Sequence, residues 1–396
     1  ARFNLPYLLT MPVVWVGLEY LRGLLFTGFP WALLGYSQQN FSMAIQSADV
    51  TGVYGVSLLL VAVNSAFAWL LQQPRRLGAW LGAAGVLLMT VSHLGYGYWQ
   101  QAKPLDLRLD QLTVGLVQGN IEQAVKWDPE YRQATVDKYL QLSAEAAKEN
   151  PDLLIWPEAA TPFFLQEETP LAEQVLQVPL QYDSYLLVGS PAYQLIVEDD
   201  YQYFNSAYLF SPQAEKLGRS DKIHLVPFGE YVPLGRLLTF INKLVVGVGD
   251  FSPGTVTPLS LNGHSLGVLI CYEVIFPELA RDYVRHGSSL LINLTNDAWF
   301  GRSSAPYQHL AMARFRAIEN RIWLARAANT GISAFIAPSG KVTAASPLFT
   351  EMQLSGRVGL GAEATFYTRF GPVLAQFCLL LSVAGAALLL RRQRQD

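Results

Sequence analysis

Long uncharged runs bracket a middle stretch in which apolar and polar positions trade places every few residues. Val53 to Leu71 carries no charge, Leu77 to Trp99 has only His93 titrating near neutral pH, and Pro372 to Leu390 is equally clean. About 20 mainly apolar residues cross the hydrocarbon core of a bilayer, so each run predicts a transmembrane helix. Leu5 to Phe26 is a weaker fourth run, because it holds Glu19 and Arg22, which lie three apart on one helical face and can pair there. The tract Phe26-Thr27-Gly28-Phe29-Pro30-Trp31 is aromatic and broken by glycine and proline, and reads as an interfacial loop.

The middle segment has a different grain. Leu112 to Gln118 alternates as a strand does, and Leu153 to Trp156 and Tyr185 to Val188 read as buried strands, with Phe204 to Phe210 continuing the sheet. Glu130 to Lys148 has a helical spacing, with Val136, Tyr139, Leu140, Ser143 and Ala147 on one side. Leu234 to Val246 reads as a helix, unusually apolar for a surface element, and so a candidate lid or arm dipping into lipid. A strand into Cys271 follows, then a helix over Pro277 to Arg285, a strand over Leu290 to Thr295, and a helix over Pro306 to Arg321. Strands at Trp323–Ala328 and Ile332–Ala337 close the pattern, with a turn at Pro338-Ser339-Gly340-Lys341. Strands alternating with helices predict an α/β sandwich.

Composition agrees with the membrane reading. Charged residues are 15% of the 396 and hydrophobic ones 51%, with a mean hydropathy of +0.22, whereas soluble domains carry roughly 25% charge. A net charge of −3 and no basic stripe give no argument for nucleic-acid binding. Lys and Arg mark the cytoplasmic loops of membrane proteins. Pro74-Arg75-Arg76 and Arg391-Arg392-Gln393-Arg394 therefore predict which side is cytoplasmic; residues 27–52 and about 100–370 then fall on the other side, and Arg2 on the cytoplasmic one. The chain opens with Ala-Arg rather than methionine, as a processed or truncated chain would, and has no cleavable signal-peptide layout. The resulting division is a membrane domain over 1–100 with about three spans, a catalytic domain over 101–368, and a C-terminal span with a basic tail over 369–396.

Three tracts carry candidate chemistry. The run Gly267-Val268-Leu269-Ile270 leads straight into Cys271, placing a thiol at the end of a strand, where open α/β sheets put their chemistry. By itself Cys271 reads more readily as a small core residue than as a nucleophile. The other cysteine, Cys378, sits in an apolar run, so a disulfide framework is excluded and Cys271 is a free thiol. In Ile155-Trp156-Pro157-Glu158, Pro157 ends the strand, and a carboxylate partly desolvated behind Trp156 suits a general base. In Asp221-Lys222-Ile223-His224-Leu225-Val226-Pro227-Phe228-Gly229-Glu230-Tyr231-Val232-Pro233, the Lys222 ammonium can favour a thiolate and then stabilise an oxyanion, with Glu230 holding it charged. Asn296-Asp297-Ala298-Trp299-Phe300-Gly301 is a further ordered loop suited to lining a pocket. The five histidines follow no metal-ligand spacing, so neither a metal nor another cofactor is expected.

Trp-Pro-Glu at 156–158, Lys222 before Pro-Phe-Gly-Glu-Tyr-Val-Pro, and Cys-Tyr-Glu at 271–273 resemble, in that order, the nitrilase (carbon–nitrogen hydrolase) superfamily. Phe-Thr-Gly-Phe-Pro-Trp at 26–31, Val-Gln-Gly-Asn-Ile at 117–121, Lys-Trp-Asp at 126–128 and Asn-Asp-Ala-Trp-Phe-Gly at 296–301 narrow the resemblance to its membrane-bound apolipoprotein N-acyltransferases. That resemblance implies an α-β-β-α sandwich flanked by transmembrane helices. It also implies a base at Glu158, an electrostatic stabiliser at Lys222 and a nucleophile at Cys271, with Glu230 and Glu273 supporting them and Tyr272 and Trp127 lining the site. The implied substrates are a phospholipid acyl donor, preferably phosphatidylethanolamine, and the diacylglyceryl cysteine of an apolipoprotein. The implied setting is a bacterial inner membrane with the catalytic domain on the periplasmic side. The family has eight spans and four are readable here, which implies that N-terminal spans of the family are missing. The competing readings are a membrane-tethered amidohydrolase that transfers its acyl group to water, and a catalytically silent lipid-binding domain, which would have no need of all three reactive residues.

Overall fold

The computed structural model describes residues 7–103, 110–197, 200–231 and 251–393. Two compact units emerge, one formed by Ala1–Asp106, Arg314–Arg321 and Glu363–Asp396, the other by Leu107–Ala313 and Ile322–Ala362. The apolar stretch Leu234 to Val246 lies outside the described residues, as do Arg2 and Arg394.

The second unit is built on two six-stranded sheets. The first contains β1 (Asp110–Gln118), β2 (Leu153–Trp156), β3 (Tyr185–Val197), β4 (Asp200–Phe210) and β5 (Lys216–Asp221). The second contains β6 (Leu259–Leu261), β7 (His264–Ile270), β8 (Leu290–Thr295), β9 (Leu324–Ala328), β10 (Ala334–Ile336) and β11 (Val342–Ala345). The last strand, β12 (Met352–Leu360), returns to the first sheet and pairs antiparallel with β1, Val114 opposite Gly356. β1, β2 and β3 run parallel, and so do β7, β8 and β9.

The alternation along β2 explains the layering. Leu153 and Ile155 enter the core between the sheets with Leu116, Val268, Ile292 and Ala325. Leu154 and Trp156 face the opposite way, toward Val136, Tyr139 and Val175 of the covering helices Arg132–Ala147 and Pro170–Tyr182. A central parallel strand covered on both faces is apolar throughout, which is why this one reads as an unbroken run. Trp156 stacks on Tyr139 with ring centroids 4.9 Å apart, and its indole N–H donates to Ser143 Oγ at 2.8 Å. Helix Pro277–Arg285 lies against β7 and β8, completing the α-β-β-α sandwich.

Several expectations shift in detail. On helix Arg132–Ala147 the buried face runs through Thr135, Val136, Tyr139, Leu142, Ser143 and Ala146, with Leu140 partly buried against the same core and Ala147 at its margin. Helix Pro170–Tyr182 and strands β5, β6, β11 and β12 are additional to the sequence reading.

In the first unit, Val53–Gln72, Leu77–Ala102 and Val373–Gln393 are, among the described residues, the helices long and apolar enough to cross a membrane. The weaker first run forms a helix over Tyr7–Arg22, 16 residues long, packed against Val53–Gln72 and Val373–Gln393. Its two charges do not pair with each other. Glu19 Oε1 accepts from the Trp15 indole at 3.1 Å and the Leu34 N–H at 2.7 Å, while Arg22 donates to the Trp31 carbonyl at 2.9 Å. A buried carboxylate gains more from two fixed donors than from one exposed arginine. Residues 314–321 bring a charged segment into this unit: Arg316 pairs with Glu319 at 2.9 Å and Arg321 with Asp49 at 2.7 Å.

Candidate active site

Four of the candidate site residues in the sandwich unit sit just past the end of a strand. Glu158 follows β2 by two residues, Lys222 directly follows β5, Cys271 directly follows β7 and Asn296 directly follows β8. Strand ends free the backbone from the sheet ladder while keeping it anchored, so side chains there are held yet reachable.

Lys222 is 1% exposed and lies between two carboxylates, 2.8 Å from Glu230 Oε1 and 3.6 Å from Glu158 Oε1. Stripping an ammonium of water costs several kcal/mol, and a single charge pair near 4 Å returns about 4 kcal/mol at the effective dielectric of such sites. Two carboxylates therefore decide the sign. Burial works against the Lys222 charge, but Glu230 and Glu158 outweigh it and hold the ammonium above the ordinary lysine range. Asn205 donates to Glu158 Oε1 at 2.8 Å and to Glu230 Oε1 at 3.0 Å, keeping the carboxylates apart. Glu158 Oε2 accepts from the Asn296 N–H at 2.9 Å, and Glu230 Oε2 from the Val226 N–H at 2.9 Å.

Glu273 has a different task. It is 1% exposed and accepts three backbone N–H groups, from Ile223 at 2.5 Å, His224 at 3.0 Å and Ile270 at 2.6 Å. Its carboxyl thus ties the loop after Lys222 to the residue before Cys271. Burial pushes it up to about 7, with the three N–H groups and Lys222 pulling the other way.

Cys271 is partly buried, with a backbone φ of +54°. Burial pushes its thiol up to about 12, the neighbouring Glu158 charge adds to the rise, and Lys222 opposes it. The resting sulfur is therefore a thiol. Tyr272 sets its ring edge-on to Phe276 at 5.1 Å, and His224 packs 3.8 Å from Phe276. Burial and Lys222 hold His224 near 4, so it adds no charge. Trp127 is partly buried. Among the described residues no group of three or more His, Cys, Asp or Glu side chains is gathered as metal ligands would be.

The sequence reading passed over two neighbours. Lys126, 4% exposed, donates to the Glu158 carbonyl at 3.0 Å, and burial lowers it to about 8 against the pull of Glu158 and Cys271. Asn205 lies within a strand read only as sheet. A lysine beside the aromatic Trp127, and an asparagine inside a strand, are the signals that were available.

Gly189 on β3 lies directly under the Glu158 turn. A Cβ there would stand 2.8 Å from both Glu158 Cα and Ala159 N, closer than carbon atoms pack. Gly189→Ala should shift Glu158 without touching its side chain, and a displacement of about 1 Å costs about 100-fold in rate where the displaced group takes part in the chemistry. Catalytic rate, measured beside a thermal melt, checks this: the rate falls while the sandwich stays folded.

Comparison with known proteins fits this geometry. Residues 113–361 match the carbon-nitrogen hydrolase family, and residues 1–66 match the apolipoprotein N-acyltransferase N-terminal domain. The chain is 47% identical over 394 residues to an apolipoprotein N-acyltransferase of Geobacter metallireducens, covering 98% of this chain and 75% of that protein. Proteins of the same name from Allorhizobium ampelinum (40% identical; 82% of this chain, 62% of the other) and Methylococcus capsulatus (38%; 92% and 70%) are also similar. This chain thus spans between three fifths and three quarters of the length of these relatives. With a carbon–nitrogen hydrolase sandwich, apolar helices and 47% identity over nearly its whole length, the chain belongs to the apolipoprotein N-acyltransferase family.

Proposed function

We propose that the chain moves a fatty acyl group from a phospholipid, with phosphatidylethanolamine the preferred donor, to the α-amino group of an apolipoprotein's S-diacylglyceryl cysteine. The acyl group travels as a thioester on Cys271. The observation that carries this reading is the buried Lys222, paired with both Glu158 and Glu230 and close enough to Cys271 to oppose the rise of its thiol.

In the first half-reaction Glu158 takes the thiol proton as Sγ attacks the donor's ester carbonyl. Lys222 stabilises the tetrahedral oxyanion. When the oxyanion collapses, the C–O bond of the ester breaks and Glu158 returns the proton to the departing lysophospholipid oxygen. In the second half-reaction the lipoprotein amine attacks the thioester and Glu158 accepts its proton. The C–S bond breaks, and the proton returns to sulfur. A thiol held near 12 makes the coupled proton transfer necessary, since hardly any thiolate exists at neutral pH. Glu230 keeps Lys222 charged and placed, and Glu273 keeps the loop after Lys222 in register with the Cys271 turn. Tyr272 and Trp127 line the acyl path, and Asn296 orients the base.

The apolar helices and the arginines at 75–76 and 391–392 support a setting in the bacterial cytoplasmic membrane, with the catalytic unit on the periplasmic side. They also favour acyl transfer over hydrolysis, because the donor itself is a membrane lipid. Incubation with phosphatidylethanolamine vesicles alone should give a hydroxylamine-labile mass increase of one acyl chain on Cys271, with release of lysophospholipid. Turnover to free fatty acid without a trapped thioester would instead identify an amidohydrolase-like enzyme.

A further inference from the structure

Behind the Cys271 turn lies a polar cluster to which the reaction above gives no role. Asn293, Thr295, Asp297, His309 and Arg326 are each at most 1% exposed. Arg326 donates from Nη2 to Asp297 Oδ2 at 2.7 Å and from Nε to the Ile332 carbonyl at 3.2 Å, and its Nη1 reaches Asn293 Oδ1. Thr295 Oγ1 donates to Asp297 Oδ1 at 3.0 Å. Well-packed apolar residues usually stabilise a core at least as well as a buried ion pair does, so packing alone does not account for this cluster.

Its connections converge on one atom. His309 Nε2 stands 3.2 Å from the Cys271 carbonyl oxygen, and Asn293 Nδ2 donates to the same oxygen at 3.4 Å and to the Leu269 carbonyl at 2.8 Å. A carbonyl only accepts, so the His309 ring carries its proton on Nε2. Nδ1 then accepts from Arg326 Nη2 at 3.1 Å, while Asp297 Oδ1, 3.0 Å from the same nitrogen, is satisfied by the Thr295 hydroxyl instead. The residue held in this way is a non-glycine in the left-handed region, at φ +54°. Such a conformation costs about 1–3 kcal/mol and persists only where the surroundings over-determine it.

We infer that His309 is a positioning residue for the nucleophile: with its proton on Nε2, and its Nδ1 accepting from Arg326, it clamps the Cys271 carbonyl and so fixes the direction of the thiol. The inference rests on Cys271 being the acyl carrier. The electrostatics agree. Burial alone would raise Asp297, but the Arg326 guanidinium leads the groups that overcome it and hold the carboxylate well below its ordinary range. Burial and Arg326 likewise push His309 down, which keeps the one-proton ring in place.

Two substitutions separate positioning from mere core filling, because both keep a polar group among Arg326 and Asp297. A glutamine amide reaches the position of Nε2 and can donate to the Cys271 carbonyl; an asparagine amide ends near Nδ1 and cannot. The measurement is the single-turnover acylation rate of Cys271 on the full chain in detergent, with phosphatidylethanolamine as donor, alongside the half-saturating donor concentration and the melting temperature. His309→Gln should stay within about 10-fold of the parent, and His309→Asn should fall about 100-fold at an unchanged half-saturating concentration. Equal rates in the two variants, or losses that simply track falling melting temperatures, would overturn the inference. A parent chain that takes up no acyl group on Cys271 would overturn the reading of the nucleophile, and this inference with it.

Discussion

Cys271→Ala is expected to abolish both the acyl adduct and the transfer reaction, whereas Cys378→Ala should leave both at the parental level. The contrast follows from where the two thiols lie. Cys378 is buried within the apolar helix Val373–Gln393, far in chemical character from any charge. Cys271 ends a parallel strand beside Glu158 and Lys222. Removing an essential nucleophile costs on the order of 10⁴- to 10⁶-fold. Cys271→Ser sharpens the test, because a hydroxyl holds its proton more tightly than a thiol that already sits near 12, so the serine variant should be slow by a comparable factor. Mass spectrometry after vesicle incubation reads all three variants. An acyl group retained in the Cys271→Ala chain would move the nucleophile elsewhere.

The second large effect is expected from Lys222→Met, which keeps most of the side-chain volume and removes the charge. Loss of one oxyanion-stabilising donor costs about 10²- to 10³-fold. Here the loss should exceed that, because Glu158 and Glu230 would face each other across the Asn205 amide with the Lys222 ammonium gone. Breaking a buried pair costs about 3–5 kcal/mol of stability, so the melting temperature should drop as well. The pH dependence has a definite sign. Burial opposes the Lys222 charge, but Glu230 and Glu158 raise it above the unfolded lysine value. Its contribution is therefore fully present below that unfolded value and lost only as the pH climbs through the folded one. The stability gap between parent and variant should stay flat between about pH 6 and pH 9. A gap that closes within that window would mean that Lys222 is not held as a charged partner of the two carboxylates.

Most of what positions these residues was legible because the sandwich writes itself as short apolar runs. Leu153 to Trp156, Leu290 to Thr295 and Pro277 to Arg285 have the boundaries read from the sequence, since each is apolar over a short span or opens on a proline. Other elements gave weaker signals. β5 (Lys216–Asp221) is a largely polar edge strand, and edge strands need not alternate cleanly. Helix Pro170–Tyr182 begins with a Thr169 cap and Pro170, but Pro179 interrupts its interior. β12 is diluted by Gly356 and Arg357. The site divides in the same way. Glu158 and Cys271 stand out because each follows an apolar strand, and Lys222 because a proline- and glycine-bearing loop with few charges follows it. Asn205, Asn293 and Arg326 lie inside strands, where a polar residue reads as noise until its partners on other strands are known. A charged residue within an otherwise apolar five-residue strand, Leu324–Ala328, was the sharpest of those signals.

The return of the last strand also sets an order of events during synthesis. β1 pairs on one side with β2, some forty residues on, but its other edge waits for Met352–Leu360. Until that late stretch leaves the ribosome, an apolar strand of the nascent sheet exposes an unpaired backbone edge to any extended neighbour. The end of β2 that leads into Glu158 sits next to that unfinished strand, so the candidate site is not fully framed before Met352–Leu360 has been made. A nascent chain therefore carries an open sheet edge through most of the synthesis of this unit.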